Sequence, residues 1–191
     1  MANTVICSEL TSGFDLSCVR NVSKSYYQQA VIINFNDIDQ TASIDPVLTP
    51  TCTNEVTMIL KSAKKGWAFI LPDNGNSIKG YFEKTTTDKG IVEYLHKIDI
   101  LIDEAGCKLD SLDHGRFVVA LQRRDGVVEI YGWFNGLVTS DYTFDRVEGG
   151  GLPLITLNST ENSKEGLPPL IYKATAPSTA EADFNVAFLQ P

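Results

Sequence analysis

The 191-residue chain has few of the residues from which metal and catalytic sites are built. Its two histidines, His96 and His114, show neither H-x-x-H nor H-x-H spacing, so a metal site would need further ligands supplied by the fold. The sequence also contains no Gly-x-Ser-x-Gly nucleophile elbow and no phosphate-binding P-loop. We therefore predict that the protein is not an enzyme and uses no metal or cofactor.

The sequence also lacks the motifs of zinc sites and redox cysteine pairs, a membrane-spanning segment and an export signal. The four cysteines have no C-x-x-C spacing, so neither a zinc knuckle nor a redox pair is indicated. No run of about eighteen apolar residues occurs, and the N-terminus lacks the basic segment of a Sec signal. We expect a protein made in a cytoplasm, without a signal peptide or membrane partner, whose isolated cysteines are mostly small buried hydrophobic residues.

The charge balance is acidic, with 16 Lys and Arg against 24 Asp and Glu and a net charge of −8. This balance argues against a basic surface that grips phosphates. It is compatible with a surface past which nucleic acid moves without adhering, although acidity could equally serve only solubility. The hydrophobic fraction of 43% and charged fraction of 21% are typical of a single globular domain, here taken as residues 1–191.

Most of the chain is a series of short extended segments separated by turn signals. This pattern predicts a mainly β protein, an antiparallel β-sandwich or barrel with one short α-helix and extended loops or arms. The predicted helix is Glu104 to Leu112, and residues 40–54, which contain Pro46 and Pro50, are predicted to form a long loop. Thr85 to Gly90 is predicted to be an exposed hairpin tip, and about residues 158–191 a C-terminal arm. Predicted strands or extended segments are Val5–Cys7, Phe14–Cys18, Ala30–Asp37, Trp67–Leu71, Ile91–Asp103, 137–144 and Leu154–Leu157. In Ile91–Asp103 the spacing of Leu95, Ile98 and Ile102 also fits a helix, but the Ile and Tyr content favours a strand.

The most informative segment is residues 115–134, which indicates a β-hairpin. Asp125-Gly126 suits a two-residue type I′ turn, because both central residues of that turn need positive φ. Counting outward from this turn predicts an apolar core face formed by the pairs Leu121–Ile130, Val119–Gly132 and Phe117–Phe134. The opposite face is mixed, with the pairs Gln122–Glu129, Ala120–Tyr131 and Val118–Trp133. We predict that this mixed face makes a subunit contact through Val118, Ala120, Tyr131 and Trp133.

Several of these segments resemble virion structural proteins of tailed phages that infect Bacteroidetes-type bacteria. The similar N-terminal segments are Ile6-Cys-Ser-Glu-Leu10, Gly13-Phe-Asp-Leu-Ser-Cys18 and a strand ending in Asn36-Asp-Ile38. The middle of the chain is similar to the phage tail tube family, with a short helix, the segment Gly115-Arg-Phe-Val-Val, a hairpin and Gly132-Trp-Phe-Asn-Gly-Leu137.

The resemblance implies a β-sandwich or barrel flanked by one helix that assembles into hexameric rings. Stacked rings form a hollow tail tube through which DNA passes during ejection, without sequence-specific binding. The implied partners are copies of the chain itself and other tail proteins, and the implied location is the virion tail.

Two other functions are compatible with the sequence. The aromatic residues Trp67, Tyr131, Trp133 and Phe134 could form the platform of a carbohydrate-binding β-sandwich, although one or both tryptophans could instead fill the core. The chain could also be a different virion part, such as a capsid decoration or a neck or tail-terminator ring.

Overall fold

A computed structural model describes residues 27–49, 53–70, 78–101, 112–123, 125–144 and 153–174. These residues form eleven strands and one short 3-10 turn, Phe35–Asp37, which confirms the predicted mainly β class. The strands are β1 Tyr27–Asn34, β2 Ile44–Leu48, β3 Asn54–Thr57, β4 Trp67–Ile70, β5 Ile78–Thr86, β6 Val92–Leu101, β7 Phe117–Arg123, β8 Val128–Tyr131, β9 Val138–Phe144, β10 Pro153–Asn158 and β11 Leu170–Tyr172.

The strands form two sheets. The larger sheet has seven strands in the order β2-β3-β11-β8-β7-β1-β4, and the smaller has four in the order β5-β6-β10-β9. Every neighbouring pair is antiparallel except β3 and β11, which run parallel. This arrangement agrees with the predicted sandwich of antiparallel-rich sheets.

The larger sheet has buried side chains on both of its faces. One cluster joins it to the smaller sheet and includes Ile32, Val119 and Leu121 of the larger sheet with Ile98 and Leu157 of the smaller. A second cluster on the opposite face contains the alternate residues, such as Val31, Val118 and Ile130. Burial on both faces explains why β7 is an almost continuous apolar run rather than an alternating one.

The hairpin of β7 and β8 exists, but its predicted turn and register are wrong. Ala120 pairs with Ile130 and Leu121 with Glu129, one residue away from the predicted pairing. The amide of Arg123 donates to the carbonyl of Val127, so three residues rather than two lie between the paired ends. Gly126 has φ +84° and its amide donates to the Arg123 carbonyl, which is typical of a type I turn followed by a glycine bulge.

The one-residue shift changes which side chains share a face. Phe117, Val119, Leu121 and Tyr131 enter the core between the sheets. The opposite cluster contains Val118, Ala120, Ile130 and Trp133. The predicted pairs are therefore wrong, because side chains alternate along a strand and a slip by one residue exchanges the two faces of β8 relative to β7. The core position predicted for Phe117, Val119 and Leu121 of β7 is confirmed.

Other segments agree with the sequence prediction to different degrees. Strands are confirmed at β1, β4, β6, β9 and β10, and the predicted exposed tip closes the β5–β6 hairpin with a bond from the Gly90 amide to the Thr87 carbonyl. β1 ends at Asn34 rather than Asp37, because the 3-10 turn follows it. Leu112 and Asp113 are helical, while the rest of the predicted helix and the segments Val5–Cys7 and Phe14–Cys18 lie outside the described residues.

Two predicted irregular regions contain strands instead. Residues 40–54 include β2 and the start of β3, and Pro46 is tolerated there because β2 is an edge strand with a register shift between Ile44 and Val47. The predicted C-terminal arm is wrong for residues 158–174, because β11 is inserted between β3 and β8 and Ser159 and Glu165 are buried. Residues 175–191 lie outside the described ranges.

At Gly80 the smaller sheet lies close against the larger one. A Cβ atom at this position would lie 2.7 Å from Leu121 Cδ1 and 2.9 Å from the Tyr131 hydroxyl. Any larger residue at position 80 would require the side chains of Leu121 and Tyr131 to move. As a result the edge strand of the smaller sheet lies beside the polar end of the Tyr131 side chain.

Candidate functional site

The four residues predicted to make a subunit contact are all buried. Val118, Ala120 and Tyr131 are almost completely inaccessible, and Trp133 is 8% exposed. Tyr131 also lies on the opposite face of the sheet from the other three. The reason for expecting a contact there, a shared half-exposed face, is therefore wrong.

The predicted aromatic platform is not formed either. Trp67 is 52% exposed and Phe134 is 41% exposed, but Tyr131 and Trp133 are buried. Trp67 lies on the edge strand β4, whereas Phe134 follows β8 in the turn that leads to β9. The four side chains therefore share no common surface, and Trp133 fills the core.

Large exposed apolar side chains occur instead on the two edge strands of the larger sheet. On β2 they are Ile44, Val47 and Leu48, and on β4 the exposed residue is Trp67. Sequence reasoning missed β2 because Pro46 and the surrounding polar residues were read as a loop. The apolar residues on either side of Asp45-Pro46 were the signal that could have revealed it.

A polar cluster lies beside the core at the end of β8. The hydroxyls of Tyr27 and Tyr131 both donate to Glu129 Oε2, at 2.6 Å and 3.2 Å, and are 3.1 Å apart. Arg123 approaches Glu129 Oε1 at 3.4 Å. Burial, and then the nearby Tyr131 and Glu129, raise the pKa of Tyr27, so its hydroxyl stays protonated and remains a donor.

His96 ties three parts of the chain together from a buried position in β6. Its Nδ1 accepts the amide of Gly132 at 3.2 Å, and its Nε2 donates to the carbonyl of Leu167 at 3.0 Å. The tautomer follows from the geometry, since the Gly132 amide can only donate and the Leu167 carbonyl can only accept. Burial lowers the pKa of His96 to about 4, so the ring is neutral near pH 7.

Glu165 makes a second set of buried hydrogen bonds between the segment before β11 and the turn after β8. Its two carboxylate oxygens accept the backbone amides of Phe134 and Asn135, at 2.8 Å and 3.0 Å. Burial raises the pKa of Glu165, while the two amide bonds oppose that shift. Because both oxygens of Glu165 and both ring nitrogens of His96 bond to the backbone, these groups hold residues 159–167 against β6 and the turn after β8.

Among the residues that the structure describes, no group of three or more His, Cys, Asp or Glu side chains is placed to hold a metal ion. None of the described helical residues belongs to a helix long and apolar enough to cross a membrane.

Comparison with protein-family models, with curated proteins and with solved structures finds no match to this chain. The observations that bear on function are therefore the sequence resemblance and the surfaces described above.

Proposed function

We propose that the chain is a structural subunit that joins copies of itself through the edges of its larger sheet, as a phage tail tube protein does. One observation carries the proposal: both outermost strands of that sheet, β2 and β4, expose large apolar side chains. Exposed edges pair with other chains unless charges, proline or a covering loop protect them, and β2 still exposes Ile44, Val47 and Leu48 although it carries Asp45 and Pro46.

The directions of β2 and β4 favour a contact between β4 of one copy and β2 of the next copy. Following the pairings outward from β1, β4 runs opposite to β1, whereas β2 runs in the same direction as β1. A second copy placed beside the first in the same orientation therefore brings its β2 against β4 in antiparallel order. Antiparallel pairing is the commoner and slightly more stable arrangement.

A head-to-tail contact of this kind uses two different surfaces of each copy. Such contacts form a closed ring when the rotation between neighbours closes. The joined sheets would then form one continuous barrel without free edges. Pro46 has no amide hydrogen, so outward backbone pairing on β2 would use the N–H and C=O of Leu48, because the Thr49 amide bonds to the Thr53 carbonyl and Val47, two residues earlier, faces β3 in the same register.

The acidic composition supports the conduit part of the proposal. With a net charge of −8, a lumen lined by this protein would repel the phosphate backbone and let DNA pass without adhering. The proposed partners are therefore further copies of the chain, other tail proteins, and DNA that moves through the lumen. Stacking of rings along the tube axis would use surfaces other than the two sheet edges.

The proposal predicts assembly of the purified protein. Light scattering at increasing concentration should show oligomers, and negative-stain electron microscopy should show rings or tubes ~100 Å wide, because a barrel of several joined sheets is far wider than a single-domain barrel. Rings that never stack would favour a neck or tail-terminator role over a tube. A protein that stays strictly monomeric and shows no rings would refute the proposal.

A further inference from the structure

A cleft of about 230 Å3 lies between β5, an edge strand of the smaller sheet, and strands β3, β8 and β11 of the larger sheet. Its lining residues are Thr53, Asn54, Phe82, Glu129, Tyr131, Pro168, Pro169 and Ile171. They come from β3 and the residue before it, from β5, β8 and β11, and from the segment before β11, so the cleft needs both sheets. A volume of this size is smaller than the roughly 300–1,000 Å3 of sites for drug-sized ligands and suits one small ring.

We propose that this cleft binds a single neutral sugar unit of a glycan. The walls are apolar, formed by the 47% exposed ring of Phe82 and by Pro168 and Pro169. Aromatic rings offer a flat apolar face against which the C–H face of a sugar packs. The Phe82 ring is held by edge contacts with Tyr94 and His96, whose ring centroids lie 6.0 Å and 6.5 Å away.

The polar groups of the cleft match the hydroxyls of a sugar. The side-chain amide of Asn54 makes no hydrogen bond to any other residue in the described ranges, so its donors and its acceptor are available to a ligand. Glu129 provides a carboxylate whose side chain is only 14% exposed. A hydroxyl group donates to a carboxylate and both donates to and accepts from an amide, as adjacent sugar hydroxyls do.

A neutral ligand fits this site better than a cation. Glu129 already pairs with Arg123 at 3.4 Å and accepts two tyrosine hydroxyls, so both of its carboxylate oxygens have partners within the protein, while Arg123 also pairs with Asp125 at 2.7 Å. An incoming ammonium or guanidinium group would have to compete with Arg123 and would be repelled by it. A polyhydroxylated neutral ring has neither cost.

The cleft is also held in shape before any ligand arrives. Pro168 directly follows Leu167, whose carbonyl accepts the Nε2 proton of His96. Ile171 is paired on both sides, with Glu55 of β3 and Glu129 of β8. Walls fixed in this way reduce the ordering cost of binding.

Saturation-transfer NMR with the methyl glycosides of glucose, galactose, mannose and N-acetylglucosamine tests the proposal. At least one sugar should give transfer to the wild-type protein. Phe82→Ala and Asn54→Ala should each weaken binding roughly tenfold, because each removes one main contact. Phe134→Ala is the matched control, since Phe134 is 41% exposed and is not among the residues that line the cleft, and this variant should bind like wild type.

Three results would overturn the proposal: no transfer from any of the four sugars at tens of millimolar, binding that survives both Phe82→Ala and Asn54→Ala, or binding of methylammonium or arginine in place of sugars. The test needs only folded protein. It is therefore independent of whether the chain assembles, and either idea can fail without the other.

Discussion

Trp67→Lys and Val47→Lys are each expected to leave the protein monomeric under conditions in which the wild type assembles. Trp67 and Val47 are 52% and 58% exposed, on opposite edges of the larger sheet. In the proposed contact each becomes buried, and an unpaired ammonium group there costs several kcal/mol. About 4 kcal/mol weakens association by about a thousandfold.

Sedimentation velocity measures this loss, and thermal unfolding shows whether the fold is retained. Leu154→Lys is the matched control, because Leu154 is a 37% exposed apolar residue on β10 of the smaller sheet. All three variants add the same charge, so a general effect of net charge would appear in the control as well. Assembly of both edge variants at wild-type concentrations, or equal loss in the control, would contradict the edge contact.

The second large effect is a loss of stability on acidification that depends on His96. Burial lowers the pKa of His96 from 6.5 to about 4 in the folded protein. Between pH 6.5 and 4, His96 therefore binds fewer protons in the folded state than in the unfolded state. The contribution of neutral His96 to the free energy of unfolding is fully present above pH 6.5 and is lost as the pH decreases towards 4. Linkage gives a loss of about 3 kcal/mol over this window.

The hydrogen bonds of the His96 imidazole explain this loss of stability. Protonation of Nδ1 places an N–H group against the amide of Gly132, which can only donate, so one of the two ties of His96 is lost. Glu165 acts in the opposite sense, because its raised pKa stabilises the fold at low pH and this contribution is lost as the pH rises. The effect of His96 must therefore be isolated from that of Glu165.

His96→Asn isolates it, because asparagine retains an acceptor near the position of Nδ1 but does not titrate. The free energy of unfolding is measured in urea at pH 7.5, 5.5 and 4.0 for both proteins, in the Trp67→Lys background so that assembly does not contribute. The stability advantage of histidine over asparagine should shrink by about 3 kcal/mol between pH 7.5 and 4.0. Glu165 is common to both proteins and cancels. An advantage that is constant with pH would show that His96 does not titrate in this way.

The fold class was predictable because the relevant signals are local. The β5–β6 hairpin combines alternating side chains with a Thr- and Gly-containing tip, and both signals are read within a few residues. The register of the β7–β8 hairpin could not be predicted from the sequence. Asp125-Gly126 suits both a two-residue turn and a longer turn in which Gly126 but not Asp125 has positive φ. This one-residue difference moved Tyr131 to the opposite face of the sheet.

The features that the sequence did not predict depend on contacts between distant parts of the chain. β11 is three residues long and becomes a strand because β3 and β8 lie on either side of it. His96 reaches Leu167 across 71 positions of sequence, and Glu165 reaches Phe134 across 31. No local periodicity encodes such ties, so the buried histidine and carboxylate became apparent only in the folded chain.

The head-to-tail contact is tested most directly by site-specific photo-crosslinking from position 67. A benzoylphenylalanine residue replaces Trp67 and keeps an aromatic group at the β4 edge, and assembled protein mixed from 14N- and 15N-labelled copies is irradiated and digested. Mass spectrometry should find cross-links between differently labelled copies that join position 67 to residues 44–48 of β2. Cross-links confined to a single copy, or joining position 67 to β4 of another copy, would contradict the proposed assembly.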